Sequence, residues 1–516
     1  MKKILLCAAI ILTCSFLIPA QTAELHKKDL HTKIDSLNIK PKEVTTEGSV
    51  TVEGQNINYQ AVAGTIILKD SKDEPTCSMF YAAYFKKGVS DKTQRPVTFL
   101  YNGGPGSSTI WLHMGAFGPK RVYSSDDKFP PPAPYKLVNN EYSLLDASDL
   151  VFIDAPATGF SRVVGKGKGE DFFGIDQDAQ AFAQFISSFI TKFDRWNSPK
   201  YLFGESYGTT RSAVLANILE RQENISLNGV ILLSEILNFN TSPDGPESNP
   251  GVDLGYILSL PTMAATAWYH HKLPGQSKEL EPFLKEAEHF AMTDYSSALS
   301  EGSTLDENRK KQIAEKLHEY IGLPADYILK ANLRITGGEF EKVLQEDNDL
   351  TTGRLDTRFS GTTMDPLSKT AEYDPQSAAI SSAYVSLFNS YVRDVLNYGK
   401  DETYRPSGRK YMTPWDFRHK QPGVGFSWGS SNVMPDLAAA MKYNPNLKVM
   451  LNSGYFDLAT PYFAADYTMH HLPIPNKLQK NIEYYYYKSG HMVYVHPQSL
   501  KEIHDNVAAF IKKTHS

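Results

Sequence analysis

The stretch YLFGESYGTTRSAVLANIL, residues 201–219, constrains this chain more than any other. An apolar, strand-like run passes straight into Gly204, Glu205, Ser206, Tyr207 and Gly208 and then into a helical pattern. A turn this tight imposes strained backbone angles on its central serine. The flanking glycines remove the side chains that would collide with the neighbouring strand and helix. The spacing G-x-S-x-G is common by chance and suits an ordinary strand-to-helix turn. With a strand before it and a helix after it, the same spacing presents a serine Oγ at a helix N-terminus.

The rest of the chain supplies matching elements. Strand-like runs occur at NYQAVAGTIILK, SMFYAAYFKK and VTFLYN, then at LVFIDA (150–155), YLFGE (201–205), GVILLS (229–234), LKVMLNS (447–453) and IEYYYY (482–487). Several are too continuously apolar to be half exposed. Helical patterns fall between them at residues 176–193, 209–222 and 499–513. This alternation predicts an α/β fold with a mostly parallel central sheet. Between about residues 236 and 430 it breaks, and helical and loop-like segments rich in Pro, Asn, Asp and Tyr replace the strands. Because strands resume at LKVMLNS, residues 51–235 and 431–516 are expected to form one core. Residues 236–430 would then be a mainly helical cap insertion over the carboxyl edge of the strands, where α/β sites form. A separate second domain is the competing arrangement.

The first residues, MKKILLCAAIILTCSFLIPAQTAE, set two lysines before an apolar run of about fifteen residues and then small residues, the layout of a secretory signal peptide. Residues 1–23 are read as that signal and 24–50 as a polar N-terminal segment, giving a secreted or periplasmic protein. A membrane anchor is the alternative, but the run is short of the about 20 residues that span a bilayer. No stable membrane insertion is expected once the signal is removed. Of the 3 cysteines, Cys7 and Cys14 lie in the signal, so Cys77 has no internal disulfide partner in the mature chain. A net charge of -5 gives no basic excess for a phosphate backbone, so nucleic acid is not an expected partner.

A serine hydroxyl needs a base, and the base needs a carboxylate to orient it. Asp457, in LKVMLNSGYFDLATPY, follows one apolar strand by a few residues, and His491, in YYYYKSGHMVYVHP, follows the next. The order Ser206, Asp457, His491 is that of the α/β-hydrolase fold. Taken alone, Asp457 reads equally as a helix N-cap and His491 as a loop histidine. In FLYNGGPGSS a glycine-rich turn follows a strand; beside the serine, the amides of Gly104 and Tyr207 would converge on an oxyanion. The turn lacks the P-loop and dinucleotide-binding patterns that a phosphate site would need. His270, His271, His470 and His471 sit in helical patterns without metal-ligand spacing, so neither a metal nor another cofactor is expected.

Four separated blocks, FLYNGGPGSS, DLVFIDAPATGFS, FGESYGTTR and the pair SGYFDLATPY and SGHMVYVHP, resemble the serine carboxypeptidase family in pattern and order. The resemblance implies an α/β-hydrolase that releases single residues from peptide C-termini through an acyl-enzyme on Ser206, with His491 as base and then acid and Asp457 orienting it. It also implies that Asn102, Gly103 and Glu205 hold the substrate's terminal carboxylate, Glu205 donating while protonated.

The chain departs from the family pattern at three places. Ser107 stands where many members have Cys, and Thr209 stands where many have a second glycine. Ala116, in HMGAFGPK, matches the position of a second Glu that pairs with the one before the nucleophile. An esterase or acyltransferase of the same fold, and a catalytically silent binding protein, are the competing functions. The sequence carries no sign of oligomeric state.

Overall fold

The computed structural model describes residues 39–275, 279–426 and 431–515. The expected signal at 1–23, the polar residues up to 38, and Cys7 and Cys14 fall outside the described residues. The strands are β1 Glu43–Val52, β2 Gln55–Lys69, β3 Pro75–Lys86, β4 Val97–Tyr101, β5 Lys120–Val122, β6 Leu137–Asn139, β7 Asp149–Ile153, β8 Arg162–Val163, β9 Lys200–Glu205, β10 Gly229–Leu233, β11 Leu350–Thr352, β12 Ser360–Thr362, β13 Lys448–Gly454 and β14 Ile482–Tyr487. The main sheet runs β1-β2-β3-β7-β4-β9-β10-β13-β14, with β8 paired to β3. Its first four strands pair antiparallel, and from β7 through β14 every pairing is parallel.

The inner strands β4, β7, β9 and β10 are buried at every residue, which is why their sequences read as unbroken apolar runs. β1 behaves in the opposite way. It begins at Glu43, inside the segment read as polar, and all ten of its residues pair with β2. As an edge strand it leaves most of its length exposed or half-buried, so EVTTEGSVTV has no core-strand pattern to show.

Helices cover both faces. α1 Ile175–Lys192, α2 Tyr207–Arg221 and α10 Met434–Tyr443 pack on one face. On the other lie α9 Pro375–Asp394, α13 Pro497–Thr514 and the π-helical turn Leu112–Phe117. Between β10 and β13 come α3 Leu254–Tyr269, α4 Leu280–Phe290, α5 Ser296–Glu301, α6 Glu307–Ile321, α7 Ala325–Lys330, α8 Gly337–Val343 and the β11–β12 hairpin. α3 to α8 bury a third apolar cluster of their own, joined by Tyr462 and Ala464 of α11, Tyr462–His470.

The order β7-β4-β9 positions the site. From β4 the chain crosses to β7 on one side and then returns to β9 on the other. The loops leaving β4 and β9 therefore part at the carboxyl edge, and a crevice opens where the winding reverses.

Candidate active site

β9 ends at Glu205 and α2 begins at Tyr207, which leaves Ser206 alone at the junction with φ 61° and ψ −131°. Positive φ is costly for a residue with a side chain and persists only where the surroundings enforce it. Several contacts enforce it here. The Ser206 amide donates to Leu233 O of β10 (2.9 Å). Thr209 Oγ donates to Ser206 O (2.7 Å) and accepts the amide of Ile236 (2.9 Å), so the residue standing where many family members have glycine staples the elbow to the chain leaving β10. A Cβ on Gly204 would collide with Gly208 O and Ser212 Oγ.

The turn after β4 lies against this elbow, backbone to backbone: a Cβ on Gly103 would meet the amide nitrogens of Tyr207 and Gly208. Tyr207 is the first residue of α2, and its amide has no acceptor within the helix. Asn102 is fixed by the amide of Leu112, which donates to its Oδ1 (3.1 Å) and so identifies the other side-chain atom as the NH2 donor.

Asp457 and His491 follow β13 and β14. His491 Nδ1 donates to Asp457 Oδ2 at 2.8 Å, and Thr460 holds the carboxylate through its amide (2.9 Å) and hydroxyl (2.7 Å). Asp457 is fully buried. Burial opposes a charge on His491, but the Asp457 carboxylate outweighs it, and the imidazole titrates above its ordinary value. Among the hydrogen bonds of the described residues there is none between Ser206 and His491. The two meet as walls of one cavity of about 1110 Å³, and contacts of this kind often tighten only when substrate binds.

Asn102, Gly103, Gly104, Glu205 and Tyr207 line the same cavity, with Asp457 behind His491. Glu205 is buried, and desolvation pushes its carboxyl up to about 7 even though His491, the Tyr494 hydroxyl and the Asn102 side chain favour the charged form. Ala116 lies in the π-helical turn and offers Glu205 no polar atom. Tyr494 O–H instead donates to Glu205 Oε2 at 2.9 Å.

Sequence reasoning missed three further contributions. Arg354 and Leu355 thread between the two late loops: Leu458 N–H donates to Arg354 O (3.2 Å) and His491 N–H to Leu355 O (2.6 Å). The second is Arg211, buried behind the elbow and donating to Asn102 O (2.9 Å). The third is Tyr494. Of the histidines set aside, His270 and His271 lie just past the end of α3, not inside it; His270 Nε2 bonds Thr357 O (2.6 Å). His470 stacks on Tyr484, and His471 bonds Tyr467 O.

A family model described as serine carboxypeptidase matches residues 53–502. This chain belongs to the serine carboxypeptidase family. Serine carboxypeptidase-like 45 of Arabidopsis thaliana is 25% identical over 193 residues, covering 36% of this chain and 38% of that relative. The pheromone-processing carboxypeptidase KEX1 of Saccharomyces cerevisiae is 29% identical over 178 residues, covering 32% and 23%. The matched stretches thus span well under half the length of these curated relatives. The crystal structure of a prohormone-processing carboxypeptidase from the same yeast superposes over 88% of this chain and 92% of that one, with TM-score 0.52 and 16% identity. That agreement shows this serine carboxypeptidase family member to have the α/β-hydrolase fold. No described helix is long and apolar enough to cross a membrane.

Proposed function

We propose that this chain is a serine carboxypeptidase that releases C-terminal residues from peptides. Ser206 is the nucleophile, His491 its base and Asp457 the group orienting that base. The observation that carries the reading is a protonatable, buried Glu205 beside Asn102 in the cavity that Ser206 and His491 line. A hydrolase with no interest in a free C-terminus gains nothing from a buried carboxyl there, and it would cost stability.

The chemistry follows from the geometry. His491 Nε2 takes the Ser206 proton as Oγ attacks the scissile carbonyl, and the amides of Gly104 and Tyr207 receive the oxyanion. His491 gives that proton to the leaving amine as the C–N bond breaks. Water, deprotonated by His491, then cleaves the ester and restores Ser206. Asn102, Gly103 and protonated Glu205 hold the substrate's α-carboxylate, placing only the last peptide bond at Ser206.

The pH dependence has a definite sign. Glu205 is neutral below about 7 and can donate; above it the carboxylate repels the substrate's own, so cleavage of free-acid peptides falls as pH rises through about 7. On the acid side, activity falls as His491 protonates. Hydrolysis of matched blocked dipeptides with free and amidated C-termini, from about pH 4 to about pH 8, tests this. Preference for the free acid with an alkaline limb confined to it is the expected result. Equal cleavage of both, or of neither, would transfer the reading to an esterase or acyltransferase.

Export belongs to the same proposal. It rests on the Lys2–Lys3 and apolar layout of residues 1–23. The mass of the mature chain should show that segment removed, and an intact Met1 would refute it. Within the insertion expected at 236–430, α3 to α8 would then form the cap that shapes the substrate pocket of the secreted enzyme, while α9 packs on the sheet.

A further inference from the structure

Tyr494 is fully buried, and its hydroxyl donates to Oε2 of Glu205 at 2.9 Å. Its position is set by close packing. A Cβ on Gly115 would run into the Tyr494 ring and the Tyr384 hydroxyl, so the π-helical turn, with small residues at Gly115 and Ala116, makes room for two tyrosines against the Glu205 wall. Asn102 closes the group: its NH2 end, identified by the Leu112 amide on Oδ1, favours the charged form of both the Glu205 carboxyl and the Tyr494 hydroxyl.

We propose that Tyr494 is a positioning residue of the carboxylate pocket: by donating to Oε2 of Glu205 it fixes the rotamer of that carboxyl and reserves the other oxygen for the proton offered to the substrate's C-terminus. The inference rests on the carboxypeptidase reading above. A neutral carboxyl has one proton and two oxygens to place it on. An oxygen already accepting from a phenol is the poorer site for it, so the proton settles on the free one. Without the phenol, both oxygens and several rotamers compete, and binding of the terminal carboxylate loses its preorganised donor.

The groups facing Glu205 are few. Asn102 comes from the turn after β4, Asp457 and His491 from the loops after β13 and β14, Tyr494 from just beyond His491, and Tyr384 from α9. Of the two tyrosines, only Tyr494 hydrogen-bonds Glu205. A phenol that donates favours the charged carboxylate, so its removal favours the neutral acid.

The test is Tyr494→Phe, which keeps the ring and deletes one hydroxyl, with Tyr384→Phe as the control from the same wall. In acid, KM for free-acid blocked dipeptides should rise roughly three- to tenfold, the size expected for one lost hydrogen bond, with kcat little changed. The alkaline limb should move to higher pH, and cleavage of the amidated substrates should stay as in the parent. Tyr384→Phe should change neither. Equal losses on free and amidated substrates, or an unmoved limb, would overturn the proposal and leave Tyr494 a packing residue. A parent enzyme with no preference for the free acid would overturn the carboxypeptidase reading itself, a different result read from different wells.

Discussion

Ser206→Ala should abolish turnover while leaving the fold intact. The expected loss in kcat is roughly 10⁵- to 10⁶-fold, the size seen when a triad nucleophile is removed and only oxyanion and binding contributions remain. The fold should survive because what holds the elbow does not use the hydroxyl: Ser206 N bonds Leu233 O, Thr209 bonds Ser206 O, and the positive φ costs alanine about what it costs serine. Thermal unfolding should therefore match the parent. The same variant should lose covalent labelling by a serine-reactive fluorophosphonate, which separates a missing nucleophile from a displaced base. A variant that unfolds normally and retains its rate would remove Ser206 from the mechanism.

The parts of this site that were legible in sequence are those whose geometry is local. The elbow is five consecutive residues between a strand and a helix, so its turn chemistry is written in one place. Asn102 to Gly104 likewise follow β4 directly. Asp457 and His491 could be placed because each sits just beyond a strand, and successive parallel strands deliver their loops to one edge.

What sequence could not show depends on distant chain. Arg354 and Leu355 lie in the region between β10 and β13, yet their carbonyls tie down Leu458 and His491. An arginine and a leucine in TTGRLDTRFS give no sign of that. Tyr494 reads as one more aromatic in an apolar run, and only the packing against Gly115 shows it aimed at Glu205. β1 escaped notice for another reason: an edge strand needs little hydrophobicity, so its polar composition is consistent with its place. Ala116 in place of a second Glu showed in the sequence that no carboxyl comes from that position. It could not signal that burial, with the Asp457 charge adding to it, would push Glu205 up to about 7.

Arg211 is the residue whose loss should be most costly to stability. In the helical pattern TTRSAVLANILERQ nothing marks it out, yet it is fully buried. Its guanidinium pairs with Asp178 of α1 (Nε to Oδ2 2.6 Å, NH2 to Oδ1 3.2 Å), lies 4.2 Å from the Phe182 ring centroid, and donates through NH1 to Asn102 O. Two jobs are combined in one side chain: neutralising Asp178 and anchoring the glycine-rich turn. Arg211→Met should cost about 3–5 kcal/mol, because it strands a carboxylate in the core. Burial already pushes the Asp178 carboxyl above its ordinary range with the arginine present. Replacing both partners, Arg211→Met with Asp178→Leu, should recover most of that stability, since no unpaired charge remains. Activity should not recover with it. Asn102 O still lacks its donor, so the turn that carries Gly104 and the Asn102 side chain is less firmly held, and kcat/KM on free-acid peptides should stay about tenfold down, the size of one lost hydrogen bond from a charged donor. Denaturant unfolding and kinetics on the three proteins separate the two jobs. A double variant as unstable as the single one would mean that the buried pair is not the source of the cost. One restored in both stability and rate would mean that the bond to Asn102 O does nothing for the turn.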